Sequence, residues 1–451
     1  MRGGGPLVLA LVLLAGCLAP ASPTGTTSAV AGALGLALPV PVSKDYAGGE
    51  PVIAVASDGT LYVEGVGAGP NGNQNKVSES TDDGRTWRDV TPPALGQERS
   101  NDGFVAVGNG DSVYASNVFS TTLELFRSDD NGASYAPLAV PRVPALMHRH
   151  WVVPFGPSIV YVSVEALPPG FASYLGGVPP PQDVTGTPNE GMWFFKSADK
   201  GATWSVPQHI DPLVNFAGQS QMIVSPDGKS LYIARYEEAS KFSPAYKSGK
   251  FYLLASHDGG DSWKRSEMLP LTSELSTAVP SLALDAAGTL YFTLSQQVGN
   301  VSRVEYTFSK DQGATWATLR ELPQATGTHA MAWARAQPGA PNGTLDVMWY
   351  QADVANGTAS KVNASWFVEY AQLVGADTDA PTITVQRVTP EPVHEGNICA
   401  RGPACGPGED RRLLDYPWMD FSKDGRAHLV FPSTKWQHAG SFAIVAVQQP
   451  R

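Results

Sequence analysis

Several arginines and histidines of this chain fall, with acids beside them, in short segments next to apolar stretches. Glu50, Glu98, Arg99, Asn101, Asp102, His148, Arg149, His150, Gln219, His329, Arg411, Arg412, Asp415 and Tyr416 each stand just before an apolar stretch or at its start. Side chains of these types can bind anions, hold a metal or move protons. A guanidinium pairs through two parallel N–H groups with a carboxylate or phosphate, which suits Arg149 and Arg412. His148 and His150 flank one residue. On an extended segment their rings share a side, as a metal requires, with His329 or an acidic neighbour as a third ligand. The alternative, which is the expectation here, is one packed ring and one solvated ring, with no metal and no cofactor. Taken together, Arg99, Arg149, His150, His329, Arg411, Arg412 and Asp415 are the candidate ligand-binding residues. The other source of this bias is a solvated rim of structural ion pairs.

Cys399 and Cys405 lie six positions apart in a Gly/Pro-rich loop. In an oxidising compartment they can close a small disulfide loop. A metal reading would need more ligands than the nearby His394. The charged run Glu409 to Tyr416 follows directly, so a disulfide would tie it down.

Composition sets the elements that must position these groups. In 451 residues there are 46 Gly and 37 Pro, 9% are aromatic and only 16% are charged, a mixture suited to many short strands joined by tight turns. No long window carries a helical period with caps at both ends. The net charge of −11 disfavours phosphate backbones, so nucleic acid is not an expected partner.

One octet, Ser-x-Asp-x-Gly-x-Thr/Ser-aromatic, occurs five times, starting at Ser80, Ser128, Ser197, Ser256 and Ser309, 48, 69, 59 and 53 residues apart. Its Asp carboxylate and hydroxyls can bond the backbone N–H groups of their own turn. Its Gly supplies a left-handed conformation, and its terminal ring packs between strands. The octet stabilises a turn and performs no chemistry. It resembles the Asp box, or BNR repeat, of the sialidase superfamily. That resemblance implies a β-propeller in which the box joins the third and fourth strands of a blade, on the face away from the ligand.

A second pattern alternates with the first: an apolar strand, a short turn, then a strand rich in Tyr and Val. It occurs seven times, over 51–63, 103–115, 151–164, 222–234, 280–293, 331–350 and 417–431. Ser225 to Gly228 and Ser422 to Gly425 mimic the octet, but their Gly follows the Asp directly, so they read as hairpin turns. Blade six continues with 365–373 and 382–388, and blade seven ends with 442–448. The segment 36–42 is extended, apolar and otherwise unemployed. Pairing it with the last strand would close the ring and remove a free edge. The expected fold is an all-β propeller of seven blades; the resemblance alone would give six.

The resemblance also implies site residues. Sialidase chemistry uses an Arg cluster for the sugar carboxylate, a Tyr nucleophile with a Glu partner, and an Asp general acid/base. Tyr416 stands where the Tyr would, Glu237 or Glu238 would be its partner, and Asp102 would be the acid/base. The chain departs from the pattern because residues 43–51 contain no Arg, whereas the family places its first Arg before the first box. Arg142-Val143-Pro144 has matching letters but follows the second box. The connection 165–190, with Pro168, Pro169 and Pro179 to Pro181, could wall or cover the mouth.

At the N-terminus, Arg2 precedes the apolar run Leu7 to Leu14, which is too short to span a bilayer and ends in Leu14-Ala15-Gly16-Cys17. This resembles the bacterial lipobox, implying lipidation at Cys17 and a membrane partner through that lipid. The expected organisation is a signal peptide over 1–17, a flexible tether over 18–36 and the propeller over 37–451. The protein would be exported to the cell envelope. Its mouth would bind a polar carbohydrate or glycoconjugate, either as a glycoside hydrolase or as a non-catalytic binding or assembly scaffold.

Overall fold

The computed structural model describes residues 1, 34–43, 48–69, 72–95, 99–100, 102–108, 110–167, 190–212, 219–238, 249–322, 327–402, 405–435 and 443–449. The expectations for Arg2, the run to Leu14, Cys17, Glu98, Asn101, most of the tether and most of the 165–190 connection lie outside these residues.

The described chain folds into seven antiparallel sheets, each a blade built from the strand nearest the axis outward. Blade one is Gly48–Val55, Leu61–Gly69, Gly72–Ser80 and Arg88–Asp89; blade two is Asp102–Val107, Val113–Phe119, Thr122–Ser128 and Ala136–Leu138. Blade three is Leu146–Phe155, Ile159–Leu167, Gly191–Ser197 and Gln208–Asp211; blade four is Ile223–Val224, Leu231–Glu238, Gly249–Ser256 and Lys264–Leu271. Blade five is Ser281–Leu284, Leu290–Val298, Val301–Ser309 and Arg320–Glu321. Blade six is His329–Ala336, Leu345–Ala352, Ala364–Val374 and Thr382–Arg387, with His394–Gly396 also paired to its third strand. Blade seven is Trp418–Phe421, Ala427–Ser433 and Ala443–Gln448, completed by Val40–Pro41.

Blade seven therefore takes its outer strand from the other end of the chain: Val40 pairs with Ala446, Pro41 with Val445, and Ala37 N donates to Gln448 O at 2.8 Å. Ring closure satisfies backbone groups that would otherwise form an open edge.

All five octets join third to fourth strands and share one hydrogen-bond scheme. In the Ser197 octet, Asp199 Oδ1 accepts from Ser197 Oγ (2.7 Å) and Thr203 N (2.8 Å). Asp199 Oδ2 accepts from Thr203 Oγ1 (2.6 Å), and Gly201 N donates to Ser197 Oγ (2.8 Å). The equivalent bonds recur in the Ser80, Ser128, Ser256 and Ser309 octets. Both the residue before the Gly and the Gly itself are left-handed; Lys200 has φ 58° and Gly201 φ 89°. A Cβ on Gly201 would stand 2.6 Å from Leu138 Cδ1 of blade two, so each octet is also a wedge against the preceding blade. Trp263, which ends the Ser256 octet, does the same against Phe194 of blade three, with ring centroids 5.1 Å apart.

The octets lie at the same end as the turns between first and second strands. Asp83 of the first octet pairs with Arg426 of such a turn at 3.3 Å, and Lys200 Nζ donates to Ser112 Oγ at 3.3 Å. The opposite end, where each first strand begins, is the mouth.

On the axis the innermost strands contribute a layer of rings. Trp333 and Trp418 lie 4.4 Å apart between centroids, Trp151 and Trp418 5.5 Å, and Phe104 sits edge-on to both Trp151 (5.4 Å) and Trp418 (5.6 Å). Trp151 and Trp333 are fully buried. Filling the narrow centre with indoles buries large apolar areas and gives the mouth a hydrophobic floor.

Candidate functional site

Asp102, Arg149 and Tyr416 each stand two residues before a ring of the axial layer, Phe104, Trp151 and Trp418, and Glu50 stands two residues before the buried Val52. They come from blades one, two, three and seven and form a polar tier on that floor. Two are aimed by bulges. In blade three His148 pairs with Glu165 and His150 with Val164, leaving Arg149 as an extra residue at φ 38°. In blade one Gly49 pairs with Val66 and Val52 with Glu64, with Glu50 at φ 51°. Left-handed conformations cost a non-glycine residue of the order of 1–2 kcal/mol, and they recur where function over-determines the backbone. Leu414, at the rim, is a third case, with φ 58°. Its side chain rests where a Cβ on Gly49 would be, 2.5 Å from Leu414 Cδ1.

Arg149 is the hub. Its Nη2 donates to Asp415 Oδ2 (2.8 Å) and lies 3.8 Å from Glu50 Oε1 and 3.8 Å from Asp102 Oδ1. Its backbone N donates to Asp102 Oδ2 (2.9 Å), and Gln219 Nε2 donates to its carbonyl (3.0 Å). The guanidinium lies over the Tyr416 ring, 5.0 Å from its centroid. Arg411 Nη2 donates to Asp415 Oδ1 at 2.7 Å.

The tier separates its acids. Burial, followed by the charge of Asp415, pushes Glu50 well above the usual carboxylate range. Burial works against ionisation of Asp102 too, yet His148 and Arg149 hold it below that range. Asp415 is lowered in the same way, with burial overcome by Arg411 and Arg149. Burial thus favours the neutral form of Glu50, while the neighbouring cations favour the ionised forms of Asp102 and Asp415, the kind of separation that distinguishes acid from base. Burial raises the Tyr416 hydroxyl well above its ordinary value.

A line of polar contacts leaves the tier through His148. Its Nε2 is 3.7 Å from Asp102 Oδ2 and its Nδ1 3.0 Å from Glu165 Oε2. Glu165 lies 3.6 Å from Arg235 Nη2, and Arg235 Nη1 donates to Asp211 Oδ2 at 2.7 Å. Neither Glu165, Asp211 nor Arg235 is among the residues picked out as mouth candidates from sequence. A signal was present at Glu165, a charge inside a mostly apolar second strand, whereas Arg235 shares its strand with Glu237 and Glu238.

Several expected residues lie elsewhere. The left-handed Arg149 breaks strand alternation, so the rings of His148 and His150 diverge instead of sharing a side. His150 Nε2 lies 2.7 Å from Ser116 Oγ, and burial lowers its pKa to about 4. Both rings are packed, so the expectation of a solvated one does not hold. His329 is buried beside Trp349, where its Nδ1 accepts from Val304 N (3.4 Å), and burial lowers it to about 3. Glu237 hydrogen-bonds Tyr252 of blade four, whereas the carboxyl groups whose charge acts on Tyr416 are Glu50, Asp102 and Asp415. Arg412 pairs with its near neighbour Asp410, and Arg99 is exposed with its guanidinium 5.0 Å from the Phe119 ring centroid. Asp102, Arg149, Arg411, Asp415 and Tyr416 are brought together.

Cys399 and Cys405 are bonded, with Cα atoms 5.9 Å apart. Between them, Arg401 reaches Glu274, beside blade five, and also pairs with Glu409. The loop is thus strapped across the front before the chain enters the tier at Asp415.

No family model matches this sequence, and no curated protein does. Solved structures of similar architecture include a protein of unknown function from Dyadobacter fermentans, 14% identical, with a TM-score of 0.49 over 92% of this chain and 99% of that one. The phage phi92 endosialidase is 11% identical, with a TM-score of 0.47 over 92% of this chain and 69% of that one. The intramolecular trans-sialidase of Ruminococcus gnavus is 11% identical, with a TM-score of 0.42 over 94% and 97%. The chain is similar to sialidase propellers in fold, and at this identity the likeness carries no residue role.

Proposed function

We propose that this chain is an envelope-anchored propeller that binds a carbohydrate at its mouth and cleaves a glycosidic bond there. The observation that carries this reading is the tier itself, in which the carboxyl groups of Glu50, Asp102 and Asp415 meet around the Arg149 guanidinium above an aromatic floor, with burial favouring the neutral form of Glu50. Glu50 is the group able to protonate a departing sugar oxygen. Asp102 and Asp415 are able to stabilise positive charge developing on the sugar ring. Tyr416, lying against Arg149, takes the place of a nucleophile, and its hydroxyl proton would pass to an ionised carboxylate of the tier, Asp102 or Asp415, rather than to Glu237. The anchor at Cys17 and an exported location belong to the same proposal and rest on the lipobox resemblance.

A second reading is favoured by the connectivity of Arg149. It ties Glu50 of blade one to Asp415 at the entry of blade seven, so the tier also clasps the ring shut. In that case the chain is a non-catalytic binding or assembly scaffold. A panel of fluorogenic glycosides separates the two. Turnover by wild type that is lost in Tyr416→Phe supports the enzyme. Absence of turnover on every member, with glycan binding retained, supports the scaffold.

A further inference from the structure

We infer that the mouth selects neutral, hydroxyl-rich sugars and excludes sugars bearing a carboxylate or sulfate, an inference that rests on the carbohydrate-binding reading above. In the tier, Arg149 already faces three carboxyl groups, and Arg411 is held by Asp415. Beside the tier lies an open bowl of about 630 Å³ whose lining includes Asn397, Asp410, Arg411 and Arg412. Here too the cations are matched. Arg412 Nε lies 2.8 Å from Asp410 Oδ2 and 3.0 Å from Oδ1, and Arg401, behind the bowl, is held by Glu274 and Glu409.

An anionic ligand would have to displace a carboxylate already fixed at each guanidinium. It would also face Asp102, Asp410 and Asp415, and juxtaposed like charges cost several kcal/mol when desolvated. What the tier leaves open suits a neutral partner. Nε and Nη1 of the buried Arg149 have no hydrogen-bond partner among the described residues, and the neighbouring carboxylates accept hydrogen bonds. A sugar hydroxyl donates and accepts at once, so it satisfies both without bringing charge.

The test uses the full chain and an immobilised glycan library in which neutral oligosaccharides are paired with their uronate and sialylated counterparts, read at low ionic strength. Wild type is expected to prefer the neutral member of each bound pair by at least about tenfold, equivalent to ~1.4 kcal/mol. Asp410→Asn, which leaves Arg412 without its carboxylate, is expected to shift that ratio toward the uronate by about fivefold or more. Wild-type binding of an anionic member as tight as its neutral partner overturns the inference and leaves the carbohydrate reading standing. An unchanged ratio in Asp410→Asn overturns charge matching as its cause. Capture of no glycan of either kind overturns both.

Discussion

Glu50 and Arg149 occupy equivalent places in two different blades, each the left-handed residue of a bulge in an innermost strand, and their side-chain ends meet 3.8 Å apart on the axis. Met331 of blade six is the third member of this set, with φ 52° and the register shift between Ala330 and Trp333. The bulge turns an interior strand position toward the mouth, which is how residues so near the apolar layer come to form a polar tier.

Arg149→Met should destabilise the fold by about 3–5 kcal/mol, because it leaves several buried carboxyl groups without their cation. The sign of the pH response should also change. Without Arg149 the folded-state pKa values of Asp102 and Asp415 rise, so the variant gains stability as pH falls toward their protonation and loses it as pH rises. Urea midpoints between pH 4 and pH 8 measure this. A variant as stable as wild type at pH 8 would contradict the hub.

Asp199→Ala should lower the melting temperature by a few degrees and leave activity or binding per folded molecule unchanged. Its carboxylate is held down to about 2 by the Thr203 hydroxyl and backbone N–H and by Ser197, all within its own turn at the end opposite the mouth. Loss of function at an unaltered melting temperature would refute the assignment of the octet to turn stabilisation alone.

His150 and His329 make the fold acid-sensitive. Their folded pKa values, about 4 and about 3, lie below the ordinary value of 6.5, so the unfolded chain takes up protons first. Their contribution is complete above pH 6.5 and falls away as pH drops toward 4. His150→Gln and His329→Gln should each flatten the decline in melting temperature between pH 6.5 and pH 4. A slope as steep as that of wild type would show that other groups dominate.

Cys17→Ala should release the protein from membranes into the soluble fraction, since one lipidated cysteine is the proposed anchor. Unchanged partitioning after high-speed centrifugation would remove the anchor.

The blades were legible because their signals are local. An octet announces the third-to-fourth turn through side chains that bond only to one another, and the apolar hairpins mark the first two strands of every blade. The closing strand could be placed because 36–42 had nothing else to pair with. The tier was only half legible. Segments before first strands pointed to Asp102, Arg149, Arg411, Asp415 and Tyr416, but the aim of a side chain there depends on a bulge, and left-handed Glu50 and Arg149 carry no letter that reports one. Hence the paired direction expected of His148 and His150 failed, and Glu237, expected beside Tyr416, hydrogen-bonds Tyr252 instead. Glu165 and Arg235 went unnoticed because a buried charge is recognised by its partner, and the contact between these two crosses from blade three to blade four.

The central claim is that Glu50 is a neutral proton donor in a sugar-binding mouth. The most direct measurement is hydrolysis of neutral fluorogenic glycosides by wild type and Glu50→Gln, with folding of both checked by thermal melting. The prediction is turnover by wild type and a loss of at least about 100-fold in Glu50→Gln at an unchanged or higher melting temperature. Equal rates in the two folded proteins would contradict the account.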